Sequence, residues 1–315
     1  MANDIIAFLG NGFDLSLGLK TSYSHFISNC WENLSKYPEI GLKAYFSKIK
    51  KESTWFDLEK AMSDYVFNFI SNPSSEDSEI SEADVVFHQA IVDELGNYLS
   101  KIQRNTIQFG NPVAEEILKA IANNIIAFTF TFNYTNLSLL SSKKEISIPQ
   151  NAYKHLHGDI SDPILGIIDF TNGQFVIPKP YCKWIKSWHI NYTPHAVTER
   201  LMNAREVIFY GLSFGAIDYI YFKDYFNAIA NRNISDSKRV FVDLITKDYN
   251  SQIDIFIQLR EMGIDVNTLM SKCNLNIIRL DNAGGIDTHS FENLESLKKR
   301  LTPPSFDENG YPKRI

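Results

Sequence analysis

The chain of 315 residues is 44% apolar and 22% charged, an ordinary balance for a globular protein able to bury a large core in one domain or two. Its formal charge of -6 argues against a broad electrostatic grip on nucleic acid, although a local basic groove is compatible with it. No apolar run approaches the roughly 20 residues needed to span a bilayer, and the N-terminus lacks the basic start and small-residue cleavage site of a signal peptide, so a cytoplasmic protein with no membrane attachment is expected.

In chain order, Ile5 to Leu9 is a short, nearly continuous apolar run, the pattern of a strand buried on both faces of a parallel sheet. It ends in Gly10-Asn11-Gly12, where residues without Cβ let the chain bend and its backbone approach a ligand closely. Leu15 stands where a dinucleotide-binding turn carries its third glycine. Asp14, Thr21, Ser22 and Tyr23 crowd just past this turn. Tyr23 to Leu34, Gly41 to Lys50, Phe56 to Ile70, Ala83 to Ile102 and Pro112 to Ala122 repeat apolar residues every three or four positions, and predict helices. Ser71 to Glu82, polar and acidic with a proline, reads as a loop between two of them. Asn111-Pro112 fits a helix start. The span of about 23–122 is therefore expected to be a helical insertion after the first strand, covering the carboxyl edge of the sheet.

Strands return at Ile125 to Thr131, Lys154 to Leu156, Val207 to Tyr210, Val240 to Ile245 and Asn276 to Leu280. Helical patterns from Tyr219 to Ala230, Asn250 to Met262 and Thr288 to Leu301, the last capped by Asp287, separate or follow them. Such alternation predicts an α/β fold, a doubly wound and mostly parallel sheet, in one domain over 1–301 with an irregular tail over 302–315. Ile164 to Ile168 and Gln174 to Ile177, joined across Asn172-Gly173, suggest an appended hairpin. Cys30, Cys182 and Cys273 form no Cys-x-x-Cys pair and are expected to be reduced.

Polar clusters follow four of these strands: Asn11 to Asp14; Asn133, Tyr134, Thr135 and Asn136; His157-Gly158-Asp159; and Ser213, Gly215 and Asp218. All fall just beyond predicted strand carboxyl ends, the edge where open α/β sheets bind ligands. Each has an ordinary structural reading alone, as a turn residue, a loop histidine or a helix cap; four on one edge point to a small-molecule site. Asp57 and Glu59, two apart in WFDLEKAM, face different sides of a helix, so one can reach the crevice while the other stays in solvent. Trp184, Trp188, His189 and His195 fall in an irregular stretch suited to a lid or to packing.

The ordered series GNGFDLSLGLKTSYSHF, WFDLEKAM, FTFNYTN and HLHGD, with a later GLSFGAID, resembles the AbiH family of bacterial phage abortive-infection proteins. More distantly, the same order resembles the sirtuin-like, Rossmann-like NAD-binding fold. That resemblance implies NAD as ligand or substrate and a cofactor-binding set of Gly10, Asn11, Gly12, Phe13, Asp14, Thr21, Tyr134, Gly211, Ser213 and Asp218. It further implies that Asn133 holds the nicotinamide ribose and a catalytic water, and that His157 is the base acting on a ribose hydroxyl. Sirtuin deacetylases have Asp-Phe-Arg after the first turn and zinc-binding Cys-x-x-Cys pairs; this chain has Lys20-Thr21-Ser22-Tyr23 and no such pairs, so deacetylation is not expected, and no metal is. Partners implied are a nucleotide, a phage-derived trigger or a defence partner protein, with a homo-oligomer compatible. Two alternatives compete with an NAD-consuming hydrolase: a non-catalytic nucleotide sensor, and a metal-dependent nuclease with Asp14, His157 and Asp159 as ligands.

Overall fold

The computed structural model describes residues 5–52, 57–71, 77–105, 107, 112–167, 169, 176–189, 192–215, 217–233, 240–281 and 288–302. Strand β1 (Ile5–Leu9) runs through Gly10 into a short helix α1 (Asn11–Ser16), and helices α2 (Tyr23–Leu34), α3 (Gly41–Glu52), α4 (Leu58–Ser71), α5 (Asp77–Ile102) and α6 (Pro112–Ala122) follow. Then come β2 (Phe128–Thr131), α7 (Leu137–Ser142), β3 (Tyr153–His155) and a small antiparallel pair, β4 (Gly158–Asp159) with β5 (Asp162–Pro163). Helix α8 (Pro194–Asn203), β6 (Glu206–Tyr210), α9 (Lys223–Ala230), β7 (Phe241–Thr246), α10 (Tyr249–Glu261), α11 (Val266–Lys272), β8 (Asn274–Arg279) and α12 (Thr288–Leu301) complete the order.

Six strands form one sheet in the order β3-β2-β1-β6-β7-β8, and every pairing in it is parallel. Its central strands are largely apolar because both faces are covered. The two-residue period sends Ile6, Phe8, Val207 and Phe209 to one face, against residues of α8, α9, α10 and α11. Ala7, Leu9, Ile208 and Tyr210 go to the other, against residues of α1, α6, α7 and α12. Phe8 sits at the centre: its ring stacks on Phe130 and Phe209 at 5.1 and 5.2 Å and meets the edge of Phe222 at 5.2 Å. Such pairs contribute about 0.5–1.5 kcal/mol each beyond area burial.

Helices α2 to α5 build a third core that includes Tyr134, Leu165, Ile167, Tyr181, Trp184 and Ile185 from connecting segments near the sheet's carboxyl edge. Asp84, fully buried on α5, ties this block together. It accepts from Leu42 N–H at 2.6 Å and from the Tyr65 and Tyr181 hydroxyls at 2.6 and 2.7 Å, so a buried carboxylate has its acceptor capacity satisfied.

Several expectations change. Helix α6 packs in the sheet's own core rather than with α2 to α5, so the span from 23 to 122 is not one packing unit. Helix α5 starts at Asp77, inside the stretch read as a loop; an acidic residue in the first turn such as Glu79 suits the positive end of a helix. Ile125 and Ile126 are not in a strand: their N–H groups return to Ala120 O at 2.9 and 3.2 Å, closing α6 behind the left-handed Asn124 (φ 53°). The Tyr219 to Ala230 pattern divides into a 3-10 turn (Tyr219–Tyr221) and α9. Phe56, Asn111, Asp287, the Asn172-Gly173 turn and the tail beyond Thr302 lie outside the described residues. Ile167, assigned to that hairpin, pairs in parallel with Ile185.

Candidate functional site at the carboxyl edge

Two polar clusters lie beyond the strand ends. The first is the glycine turn. Gly10 N–H donates to Tyr210 O and Gly12 N–H to Gly211 O, both at 2.9 Å. A Cβ on Gly10 would come within 2.6 Å of Gly211 O, and one on Gly12 within 2.6 Å of Gly211 Cα. Gly211 itself has φ +60° and abuts Gly12 in return. These three glycines are therefore required where two turns cross, backbone on backbone. Asn133 braces the crossing: its Nδ2 donates to Gly10 O at 2.9 Å and to Asp14 Oδ1 at 2.8 Å. Thr135 Oγ1 donates to Asp14 Oδ2 at 2.7 Å. Burial raises the Asp14 carboxyl to about 7, against the opposing pull of the Thr135 and Asn133 hydrogen bonds. Asn11 Oδ1 accepts from Thr21 Oγ1 at 2.7 Å. Phe13 is fully buried against Tyr210, and Ser213 is exposed.

The second cluster is ionic and assembled from four segments. Glu59 comes from the first turn of α4, His157 from the loop two residues past β3, Lys186 from a 3-10 turn (Lys186–Trp188), and Asp218 from the loop after β6. Lys186 Nζ lies 2.7 Å from Glu59 Oε1 and 2.8 Å from Oε2, and 3.2 and 3.4 Å from Nδ1 and Nε2 of His157. His157 Nε2 lies 3.1 Å from Asp218 Oδ1, an ionic contact to a buried oxygen. Gly166 N–H adds a 3.2 Å bond to Glu59 Oε1. Burial raises Glu59, with Lys186 and His157 opposing it. Burial alone would raise Asp218 too, but the adjacent His157 and Lys186 outweigh it and hold that carboxyl below its ordinary range. Two carboxyls displaced in opposite directions around one imidazole form the pattern that separates acid from base in enzyme sites.

Aromatic side chains wall this cluster. Phe132 meets the His157 ring edge-on at 4.9 Å. The Tyr23 and Tyr134 hydroxyls approach to 3.5 Å, and both phenols are pushed well up by burial, then by Glu59. Grooves of about 700 Å³, lined by Phe69, Val86 and Pro178 among others, and of about 510 Å³, beside Tyr37 and Glu94, contain none of these residues.

The structure thus draws Gly10, Gly12, Gly211, Asn133 and Asp14 into one group, and His157 with Asp218 into another. Asn133 and His157 belong to different groups. Asp57 caps α4, accepting from the Glu59 and Lys60 N–H groups at 3.1 and 3.0 Å, and is exposed; Glu59 is the member of that pair which turns inward. Asp159 accepts from Ser161 N–H at 2.8 Å in the β4–β5 turn, apart from Asp14 and His157, and among the described residues no group of three or more His, Cys, Asp or Glu side chains could hold a metal ion. Trp184 is buried and stacks on His88 at 4.6 Å, whereas Trp188 is exposed. Lys186 was invisible to sequence reasoning, because one lysine between two tryptophans has no diagnostic spacing. No helix among the described residues is long and apolar enough to cross a membrane.

A family model described as bacteriophage abortive infection AbiH matches residues 6–239, a span reaching from β1 past β6 and α9. No curated protein matches the chain.

Proposed function

The chain belongs to the AbiH family of bacteriophage abortive-infection proteins, and from that premise we propose that it acts against phage by binding and hydrolysing NAD or a related nucleotide. The observation that carries this reading is the buried Glu59–Lys186–His157–Asp218 cluster, built from four separate segments, with its two carboxyls displaced in opposite directions. Counting only the strands of the main sheet in chain order, the arrangement is 3-2-1-4-5-6. This is the order of doubly wound dinucleotide-binding folds, whose crevice lies beyond the strand carboxyl ends where the order reverses. Here that point falls between β1 and β6, and Asp218 lies in the connection that follows β6. The Rossmann-like and sirtuin-like resemblance belongs to this proposal.

The chemistry suits the groups present. Breaking a glycosidic bond to nicotinamide passes through an oxocarbenium-like state, which an ionised carboxylate stabilises and a positioned base relieves of a proton. Asp218 supplies the ionised carboxylate, the His157 imidazole lies against it, and Glu59, shifted upward, holds Lys186. The test is to incubate purified protein with NAD, and separately ATP, with and without chelator, and to resolve the products. Nicotinamide release that survives chelation, and falls ~100-fold or more in His157→Ala at unchanged melting temperature, is the expected result.

A second reading, a nucleotide sensor without turnover, is favoured by one observation. Both amide hydrogens of Asn133 and the Gly12 N–H are committed to internal bonds, which withdraws them from ribose and pyrophosphate. Saturable binding of NAD with no product, and phage protection intact in His157→Ala, would put the sensor first.

A further inference from the structure

We propose that the outward face of the Glu59–Lys186–His157–Asp218 cluster is a subsite for a flat organic cation, the pyridinium ring of oxidised NAD, and not for phosphate. This rests on the reading of the site as a nucleotide hydrolase and assigns the part of the substrate that the cluster receives.

Only one ammonium stands in the cluster, and it is turned inward. Both oxygens of Glu59 hold Lys186 Nζ, at 2.7 and 2.8 Å, and the lysine side chain is 6% exposed. Its charge is matched before any ligand arrives. Asp218 is the most exposed of the four, at 16% against 8% for His157 and 8% for Glu59. Its Oδ1 is buried, so that exposure belongs to the rest of the side chain and not to the oxygen that meets the imidazole. Burial opposes its ionisation, and His157 and Lys186 outweigh burial to hold it below the ordinary carboxylate range. Lys223, the next ammonium along the chain, is exposed and lies 5.7 Å over the Tyr219 ring.

The face that a ligand meets is therefore negative, and rings line it. Tyr221 stands 5.4 Å from Tyr192 and 5.5 Å from Phe132, and Phe132 meets the His157 ring at 4.9 Å. Tyr221 is buried and Tyr192 half-buried. Both lie in the field of Asp218. Burial, then Asp218, lifts the Tyr192 phenol to about 12; burial, then Tyr192 and Asp218, pushes that of Tyr221 up. Ring faces are negative by their quadrupole, and beside an ionised carboxylate they favour a cation that is itself flat and weakly hydrated. A phosphate would meet the same sign of charge on both. The placement also suits bond cleavage. As the C1′–N bond breaks, its electron pair goes to the ring nitrogen and nicotinamide leaves neutral. The positive charge passes to the ribose carbon one bond away, so a carboxylate placed for the ring also serves the developing cation.

The experiment titrates the full chain with 1-methylnicotinamide, a cation, and with nicotinamide, its neutral parent, and then with uncleavable carbocyclic NAD and with NADH. Calorimetry compares the wild type, Asp218→Asn, Tyr192→Leu and Tyr192→Phe. The wild type is expected to bind each cation ~10-fold or more tighter than its neutral counterpart. Asp218→Asn should bring that ratio to ~2-fold or less by weakening the cations alone, whereas a merely structural aspartate would weaken both members of each pair alike. Tyr192→Leu should cut the ratio ~3-fold and Tyr192→Phe should keep it, since the cation meets the ring face and not the hydroxyl. Equal or undetectable binding of the two small rings by the wild type, or displacement of 1-methylnicotinamide by inorganic pyrophosphate, would overturn the proposal. Should Asp218→Asn fail to melt cooperatively, the Tyr192 variants decide: loss in Leu with retention in Phe supports the subsite, and any other pattern overturns it. The two readings fail separately. Turnover of NAD without preference for the cation removes the subsite and leaves the hydrolase; preference without turnover removes the hydrolase and leaves the subsite in a nucleotide sensor.

Discussion

Two buried ionic clusters on the same sheet have opposite characters. Towards the amino ends of the strands, Arg300 of α12 gives Nε to Glu206 at 2.9 Å and Nη2 to both oxygens of Asp243 at 2.8 and 2.7 Å, while Asn276 adds a 2.8 Å bond to Asp243. Its guanidinium also lies 4.5 Å over the Phe241 ring. Every member stands on a strand or a helix, and a rigid planar fork matches the Asp243 carboxylate. At the carboxyl edge the cation is a lysine, a point charge on a flexible stem, and three of the four members stand in loops or a single turn. Each cluster leaves one buried carboxylate oxygen without a hydrogen bond, Glu206 Oε1 in the first and Asp218 Oδ1 in the second. Burial of charge is common to both, so burial alone does not mark function. What differs is placement: the first cluster locks α12 to the sheet from strands and a helix, and the second stands mostly on loops and a single turn beyond the strand ends, the part of a scaffold that commonly carries function.

The sharpest break of this comparison is Arg300→Met. Removing the cation leaves two buried carboxyls uncompensated, and urea denaturation should show a loss of about 3–5 kcal/mol. Turnover per folded molecule should stay within twofold. A large loss of turnover at unchanged stability would erase the distinction between the clusters.

Next is pH. Burial raises Asp14 to about 7, and burial with the nearby Asp243 raises Glu206 to about 7. In each, the folded state holds its proton in a range where the unfolded state has released it. The contribution of these two groups is therefore most favourable below the unfolded values near 4 and is lost as pH rises towards 7, on the order of 4 kcal/mol for Asp14 between the two limits. Urea midpoints taken from pH 4 to 8 should decline, and Asp14→Asn should flatten that decline. An identical slope in the variant would contradict the assignment to Asp14.

Gly12→Ala addresses the glycine turn. Its Cβ would lie 2.6 Å from Gly211 Cα, where backbone cannot give way cheaply, so a loss of about 1–3 kcal/mol is expected. A selective loss of nucleotide binding at wild-type stability would instead assign this glycine to ligand approach. The smallest effect belongs to Asp57→Ala. Loss of the α4 cap should cost about 1 kcal/mol in a thermal melt and leave turnover unchanged, since Glu59 and not Asp57 enters the crevice.

Much of the fold was legible because its signals are local. Helices α2 and α6 matched their periodic patterns end to end, and β1, β3, β6, β7 and β8 fell within a residue or two of their apolar runs. The boundaries that moved did so for reasons of context. Ile125 and Ile126 have strand-like side chains, yet their N–H groups close the preceding helix. Asp77 to Glu82 has loop composition, yet acidic residues are welcome at a helix start.

The site divides the same way. From the sequence alone came the glycine turn, Asn133, His157 and Asp218, each legible as a polar residue just beyond a strand end, and the resemblance that places the chain in its family. Only the tertiary structure decided which of them meet. Asn133 braces Gly10 and Asp14, His157 stands beside Asp218, and Glu59 crosses from the helical region to meet Lys186, 127 residues away in the chain. No pattern of spacing encodes such a pairing, because it depends on where two distant segments are carried by packing. The protonation behaviour of Asp14, Glu59 and Asp218 depends on it as well, since burial and neighbouring charge are properties of the assembled site and not of the residue type.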